Sequence, residues 1–467
     1  MLLAREKELQ LLEQLYCSDR FEFLLLYGRR RVGKTRLLQE FANTHPVIFF
    51  SAQEKNETLN LRDFSAAVRN ALGYQAELQF DRWDTAFTFL TDQATDQRLI
   101  LIIDEFPYLA ESNPSIKSIL QHIIDLQWSQ KNIFLILCGS WVSFMEKEVI
   151  GADSPLYGRS TSQFEMKPFD YLDSARFFPD LSQEDLLLTY GILGGIPAYL
   201  RAFSPSRSIQ ENISHNILRE SSFLRNETQN LLKMELREPA IYNSIFEAIA
   251  SGASRMNDIA MGIHEEQNKC ARYILPLQEM RLIQKQTPCG EKETSRRTLY
   301  QISDPFFLFW YRYVFRNRSY YDLLGEEDAA AEIVLTLSDY IGEIFERICT
   351  QYLVRRAKSR TLPFVPAQIG KWWGNNPVKK KQDDIDILAL DRSGERGIFC
   401  ECKHRNQLFD EKELNDLLDA SKIFSQIKDH TYILFSKSGF TSEVQKTAAE
   451  RNIELITPSD LYGLLPD

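Results

Sequence analysis

Phe23-Leu24-Leu25-Leu26-Tyr27-Gly28-Arg29-Arg30-Arg31-Val32-Gly33-Lys34-Thr35-Arg36-Leu37-Leu38-Gln39-Glu40-Phe41 is the stretch on which the reading of this 467-residue chain turns. Residues 28–35 match the Walker A pattern G-x-x-x-x-G-K-[ST] without a gap. The apolar run Phe23–Tyr27 predicts a buried strand, and Leu37–Phe41 predicts a helix. That strand–loop–helix context separates a phosphate cradle from a chance glycine-rich turn. Glycines let the backbone wrap closely round phosphate oxygens, while amides and the helix N-terminus supply partial positive charge. Gly28, Arg29, Arg30, Arg31, Val32, Gly33, Lys34, Thr35 and Arg36 are therefore the expected nucleotide-binding set. Lys34 is expected to reach the β- and γ-phosphates, and Thr35 to ligate Mg²⁺, so ATP and Mg²⁺ are the expected cofactors.

About seventy residues downstream, Leu99–Ile103 predicts a buried strand that ends in Asp104-Glu105, a Walker B pattern. Asp104 is expected to hold Mg²⁺ through water, and Glu105 to orient and deprotonate the attacking water. An acid directly after the Walker B Asp goes with NTPases that carry an extra strand between the Walker A and Walker B strands. The strand Ile133–Leu137 ends at Cys138-Gly139-Ser140. Ser140 has two readings, a sensor of the γ-phosphate or an N-cap of the next helix. Arg159 also has two, an arginine finger acting in cis or in trans, or a surface ion pair.

Composition sets bounds. The chain is 44% hydrophobic and 26% charged, with 30 Phe and 19 Tyr, and no apolar run approaches the length of a membrane span. Met1 to Glu8 reads as the start of an amphipathic helix and not as a signal peptide. Seven scattered cysteines argue against a disulfide framework and for a reducing, cytoplasmic location. Cys400 and Cys402 lack zinc spacing. A net charge of −10 makes the whole surface a poor general DNA binder. Locally, residues 355–381 hold eight Lys/Arg and no Asp or Glu, either a solvated basic face or a phosphate-contact stripe.

The pattern along the chain predicts four parts. Residues 1–166 alternate strands (Phe23–Tyr27, Val47–Phe50, Leu99–Ile103, Ile133–Leu137 and Ser162–Met166) with helices, as an α/β domain with a mostly parallel sheet does. Residues 167–235 turn helical. In residues 236–335, helices at Ile241–Ser251, Met256–Gly262 and Asn268–Met280 precede strands Ile283–Gln286 and Leu299–Ile302 around a polar wing, which predicts a winged helix-turn-helix and a connecting helix. Its third helix offers only Lys269 and Arg272 as cations near its start, so it reads either as a DNA-contacting helix or as a scaffold. Asp304–Tyr311 is too apolar for an exposed linker and should pack between domains.

Residues 336–467 begin with a helix and continue as strands at 384–390, 397–403 and 431–436. A helix (Thr441–Arg451), a short strand (Ile453–Ile456) and a terminal helix follow. The strand period puts Glu401 and Lys403 on one face and Cys400 and Cys402 on the other. A hairpin brings Asp386, fifteen residues upstream of Glu401, beside them. This is the PD-(D/E)xK nuclease constellation: Asp386 and Glu401 as metal ligands, Lys403 as the catalytic lysine, and Glu346 on the preceding helix as a further carboxylate. A plain charged strand face is the alternative, because D…ExK recurs by chance.

Arg5-Glu6-x-Glu8-Leu9, the Walker A loop with its three arginines, Asp104-Glu105, Leu156-Tyr157-Gly158-Arg159 and Gly194-Gly195-Ile196-Pro197-Ala198-Tyr199-Leu200 together resemble the archaeal-type ATPases of the STAND class of P-loop NTPases. The resemblance implies a helical lid in which Gly195-Ile196-Pro197 meets the nucleotide base, with Pro197 as the contacting residue. Asp304–Phe307 with Trp310-Tyr311-Arg312, Gly342–Glu346, Ile369-Gly370-Lys371-Trp372-Trp373-Gly374 and Glu401-Cys402-Lys403 resemble the region of unknown function, with a restriction-endonuclease-like fold, that accompanies these ATPases. One departure is Asp384, where the family often has Glu before Ile-Asp.

The expected protein is thus α/β: a P-loop NTPase parallel sheet with a helical lid, a winged helix-turn-helix, and a C-terminal restriction-endonuclease-like α/β domain. Its expected function is an ATP-binding and hydrolysing switch that controls a metal-dependent DNA-cleaving or DNA-binding module. DNA and a homo-oligomer formed on ATP binding are the expected partners, with no membrane. The alternative is a non-catalytic STAND-type regulator whose nuclease-like fold only binds nucleic acid or a partner. A replication-initiator-like loader also combines an ATPase with a winged helix, but Asp386/Glu401/Lys403 and Gly195-x-Pro197 count against it.

Overall fold

The computed structural model describes residues 3–94, 97–376 and 380–463. The chain divides into two compact units, residues 1–168 and 169–467.

In the first unit the strands are β1 (Glu22–Tyr27), β2 (Val47–Ser51), β3 (Leu99–Asp104), β4 (Ile133–Gly139) and β5 (Ser162–Glu165). They form one parallel sheet in the order β2-β3-β4-β1-β5. Strands β1, β3 and β4 are almost wholly buried, as unbroken Leu/Ile/Phe runs require when helices cover both faces. A hydrophobic core gathers Phe50, Phe64, Trp83 and Phe87 with residues of β1, β3 and β4. β4 separates the Walker A strand β1 from the Walker B strand β3, as the Asp104-Glu105 pair leads one to expect. The carboxyl ends of β1, β3 and β4 therefore meet at one edge, the usual ligand edge of such sheets.

The second unit starts with helices Tyr171–Ala175, Gln183–Leu193, Pro197–Leu200 and Ile209–Ile213. After helix Glu227–Glu235 come three more, Pro239–Ala250, Met256–Gly262 and Gln267–Glu279, and then an antiparallel hairpin of β6 (Ile283–Gln286) and β7 (Leu299–Ile302). This is the element order expected of a winged helix. The apolar run 306–311 is buried, with Trp310 Nε1 donating to Arg225 O at 3.0 Å and Tyr311 stacked on Phe246 at 4.9 Å. It packs between the early helices and the three-helix group, as its composition demands.

The helix Glu326–Lys358 then runs for 33 residues. The expected boundary at 335/336 falls inside it. Buried Ala330, Ile333, Leu337, Ile341, Ile344, Ile348 and Tyr352 keep helical spacing straight through that point. The helix leads to β8 (Gln368–Asn376), β9 (Lys381–Leu390), β10 (Arg396–Lys403), β11 (Asp429–Ser436) and β12 (Glu454–Ile456), a mixed sheet in the order β12-β11-β10-β9-β8. β8–β9 and β9–β10 pair antiparallel, and β10–β11 and β11–β12 pair parallel. β8 was not expected, because two glycines and two asparagines mask its pattern. Helix Glu411–Ser421 was also missed, although Asp410 and Glu413 form its capping box.

Candidate functional site

In the first unit the loop after β1 closes on itself. Lys34 Nζ is buried and donates to Gly28 O at 2.7 Å and Arg29 O at 3.0 Å. Burial lowers its pKa, and Glu105 and Asp104 pull it back up. Gly28 is required by close approach, since a Cβ there would lie 2.3 Å from Met166 O. Thr35 Oγ1 donates to Asp104 Oδ2 at 2.9 Å, so the Walker A hydroxyl and the Walker B carboxylate lie side by side. These hard oxygen donors suit Mg²⁺, and Thr35 and Asp104 are the residues that would hold it against phosphate oxygens, supplying charge neutralisation there.

Glu105 adopts a left-handed conformation, φ 52° and ψ 45°, which is uncommon for a residue with a side chain. Its carboxylate accepts from Ser140 Oγ at 2.5 Å and Ser140 N at 3.3 Å, from the end of the adjacent β4. Ser140 caps no helix, since the next one is preceded by Trp141. Lys34, Thr35, Asp104, Glu105 and Ser140 therefore form one connected edge.

The other expected residues have distinct places. Arg29 is buried, Arg30 donates to Tyr108 Oη at 2.9 Å, Arg31 is left-handed at φ 69°, and Val32 is fully buried. Arg36 pairs instead with Glu40 one turn on, at 3.3 Å. Arg159 grips Asp125 with two hydrogen bonds, 2.8 and 2.7 Å, and also donates to the carbonyls of Pro155 and Tyr157. This is the geometry of the ion-pair reading of Arg159. Arg5, quoted from the sequence without a role, donates to Val32 O at 3.1 Å and Lys167 O at 2.7 Å and so ties the N-terminal segment to the loop.

In the second unit Pro197 is buried at the start of its helix. Gly195 before it is pressed against Phe169, whose carbonyl oxygen would sit 1.8 Å from a Cβ.

The C-terminal carboxylates lie where β9 and β10 part. The two strands pair from Gly397–Leu390 to Cys400–Ile387, and beyond that point Asp386 Oδ2 accepts from Cys402 N at 2.8 Å. Glu401 is held by Lys403. Burial first, then Asp386, pushes the Glu401 carboxyl up to about 8 and that of Glu346 to about 7. Lys371 Nζ lies 3.0 Å from Glu346 Oε2, 3.3 Å from Asp384 Oδ2 and 3.4 Å from Asp386 Oδ1, and these carboxylates raise its pKa against burial. Lysines pair with the three carboxylates expected to bind metal: Lys371 with Glu346 and Asp386, and Lys403 with Glu401. Among the described residues, no group of three or more His, Cys, Asp or Glu side chains is arranged to hold a metal ion. Lys371 was quoted from the sequence but given no role.

Part of the basic stripe is committed too. Arg355 binds Asp170 and Asp173 at 2.6 and 2.7 Å, and Arg356 pairs with Glu454 at 2.5 Å. Lys358, Arg360, Lys380 and Lys381 are exposed, and Lys379 lies outside the described residues. All seven cysteines are free thiols. No helix among the described residues is long and apolar enough to cross a membrane.

Comparison with known proteins agrees with both halves. Residues 2–203 match a family described as an ATPase domain predominantly from Archaea, residues 310–417 one described as archaeal and bacterial proteins of unknown function, and residues 373–465 one described as restriction endonuclease. The chain is similar to an uncharacterized protein of Methanocaldococcus jannaschii, 33% identical over 427 residues, 91% of each chain. A short stretch, 9% of this chain, is 44% identical to an uncharacterized ATP-binding protein of the same organism and covers 70% of it. Among solved structures it is similar to the Walker-type ATPase PABY2304 of Pyrococcus abyssi, at TM-score 0.50 and 21% identity, over 67% of this chain and 96% of that one. That likeness speaks to the fold alone. The chain belongs to the family of P-loop ATPases found predominantly in Archaea that carry a C-terminal restriction-endonuclease-like domain.

Proposed function

We propose that this ATPase is a switch: ATP at the Lys34 loop sets the state of the second unit, and that state governs how the C-terminal nuclease-like module engages DNA. Lys34 holds the phosphates, Thr35 and Asp104 the Mg²⁺, and Glu105 orients the attacking water. Ser140, hydrogen-bonded to Glu105, couples the water-orienting carboxylate to the neighbouring strand. Pro197 belongs to the lid that senses the nucleotide, and DNA as partner is supported by the restriction-endonuclease match.

The helix Glu326–Lys358 carries the proposal. One of its faces holds the early helices: Tyr340 donates to Gly191 O at 2.7 Å, Gln351 donates to Tyr190 Oη at 2.9 Å, and Arg355 binds Asp170. Another face brings Glu346 to the C-terminal carboxylates. A shift of the early helices is thereby a shift of Glu346. The test is incubation of the full chain with linear, supercoiled and single-stranded DNA, with and without ATP and divalent ions. ATP-dependent cleavage or retention of DNA is expected, and identical behaviour with and without ATP would refute the switch.

A second reading, a regulator that binds DNA without cutting it, is favoured by one observation. Lys371 lies among three carboxylates that a metal-dependent nuclease would leave to the ion. Binding without cleavage under every condition supports it.

A further inference from the structure

Lys371 stands opposite an irregularity in β9. Gly370 pairs with Leu388 and Trp372 with Ile385, so β9 takes three steps where β8 takes two. The bulge falls opposite Lys371, and bulges re-aim side chains. Here the ammonium is delivered to Asp384 and Asp386 on β9 and to Glu346 on the long helix. An ammonium has three N–H donors, and three carboxylates lie within reach of them. The second oxygen of Asp386 is taken by Cys402 N, and Glu401 is taken by Lys403.

The backbone of Lys371 is held as well. Cys289 N donates to Lys371 O at 2.9 Å, Gly290 N to Gln368 Oε1 at 3.0 Å, and Arg297 to Trp373 O at 3.0 Å. Cys289 Sγ reaches Leu388 O at 3.1 Å. The β6–β7 connection, the expected polar wing, is thus laid on the edge of the C-terminal sheet, where it covers β8.

We propose that Lys371 is the resident counter-cation of this carboxylate set: it neutralises Glu346, Asp384 and Asp386 in place of a divalent ion and keeps the set closed to one. A divalent ion needs several oxygens converging on one point, and Lys371 Nζ stands where Glu346, Asp384 and Asp386 converge. The inference rests on reading the second unit's carboxylates as the nuclease-like site.

Calorimetric titration of the full chain with MnCl₂, without nucleotide, tests it. Lys371→Met keeps the side-chain stem and removes the charge. It is expected to gain a Mn²⁺ site at least about tenfold tighter than anything in the wild type, lost again when Asp386→Asn is added. No gain in the single variant, or an equally tight site in the wild type that Asp386→Asn removes, would overturn the proposal. Should Lys371→Met fail to fold, amine labelling of the wild type read by mass spectrometry decides. Lys371 is expected to stay protected relative to exposed Lys358 and Lys422, with or without Mn²⁺. Its release by sub-millimolar Mn²⁺ would contradict the proposal. Neither readout involves DNA or ATP, so failure of the switch leaves this result standing. A wild-type chain that cuts DNA with Mn²⁺ would overturn this inference while leaving the switch intact.

Discussion

Glu105 is the residue on which ATP turnover is expected to hinge. Its left-handed backbone aims the carboxylate across to Ser140 at the edge where Lys34, Thr35 and Asp104 meet. Glu105→Gln is expected to lower kcat by at least about 100-fold while nucleotide affinity stays within a few fold. Steady-state phosphate release together with equilibrium nucleotide binding checks this, and unchanged hydrolysis would remove Glu105 from its role. A second residue reports on pH. His404 packs against Phe345 at 5.4 Å, and burial, with Lys437 adding to it, lowers its pKa to about 4. The ring is neutral in the fold but takes a proton in the unfolded chain below 6.5. Its stabilising contribution is therefore present above pH 6.5 and is lost as pH falls towards 4. His404→Gln should flatten the fall in Tm between pH 7 and 4.5 by about 5 °C, and an unaltered slope would contradict this. At this scale the motif residues were legible because their spacing is fixed along the chain. Lys371 and the Arg159–Asp125 pair were not, since a bulge and a helix end far away in sequence decide them.

Among the elements, the glycine turn before Pro197 and the long helix make opposite demands. A Cβ on Gly195 would run into the Phe169 backbone, which cannot yield cheaply because Phe169 N donates to Gly195 O at 2.8 Å. Gly195→Ala is expected to cost more than about 3 kcal/mol, read as a large drop in Tm or loss of soluble protein. Gly342 lies within Glu326–Lys358 with nothing within 4 Å of a Cβ. Gly342→Ala should stabilise by about 0.5–1 kcal/mol through helix propensity alone, measured by denaturant unfolding. Equal effects of the two substitutions would show that packing at Gly195 is not what selects glycine. Strands β1 to β4 were legible as apolar runs, and the three helices before β6 as amphipathic repeats. β8 hid behind its glycines and asparagines, because an edge strand covered by a loop needs little apolar pattern of its own. The helix start near 326 was lost for a related reason: its first turn, Glu326-Glu327-Asp328, reads as exposed polar chain until its fit to the helix dipole is considered.

At the scale of the whole molecule, the ATP edge and the C-terminal carboxylates were each readable from short motifs. The contacts that the helix bearing Glu346 makes to the early helices depend on tertiary packing and were not. In the proposed switch, ATP at the Lys34 loop changes how the chain engages DNA, a coupling that linkage makes reciprocal. Its most direct measurement is the DNA affinity of the full-length Glu105→Gln chain, by fluorescence anisotropy at fixed salt, without nucleotide and at saturating ATP. A shift of at least about fivefold is expected, equivalent to about 1 kcal/mol of coupling, and its absence in Lys34→Ala. The same affinity with and without ATP in Glu105→Gln, in a preparation shown to bind ATP, would contradict the proposed switch.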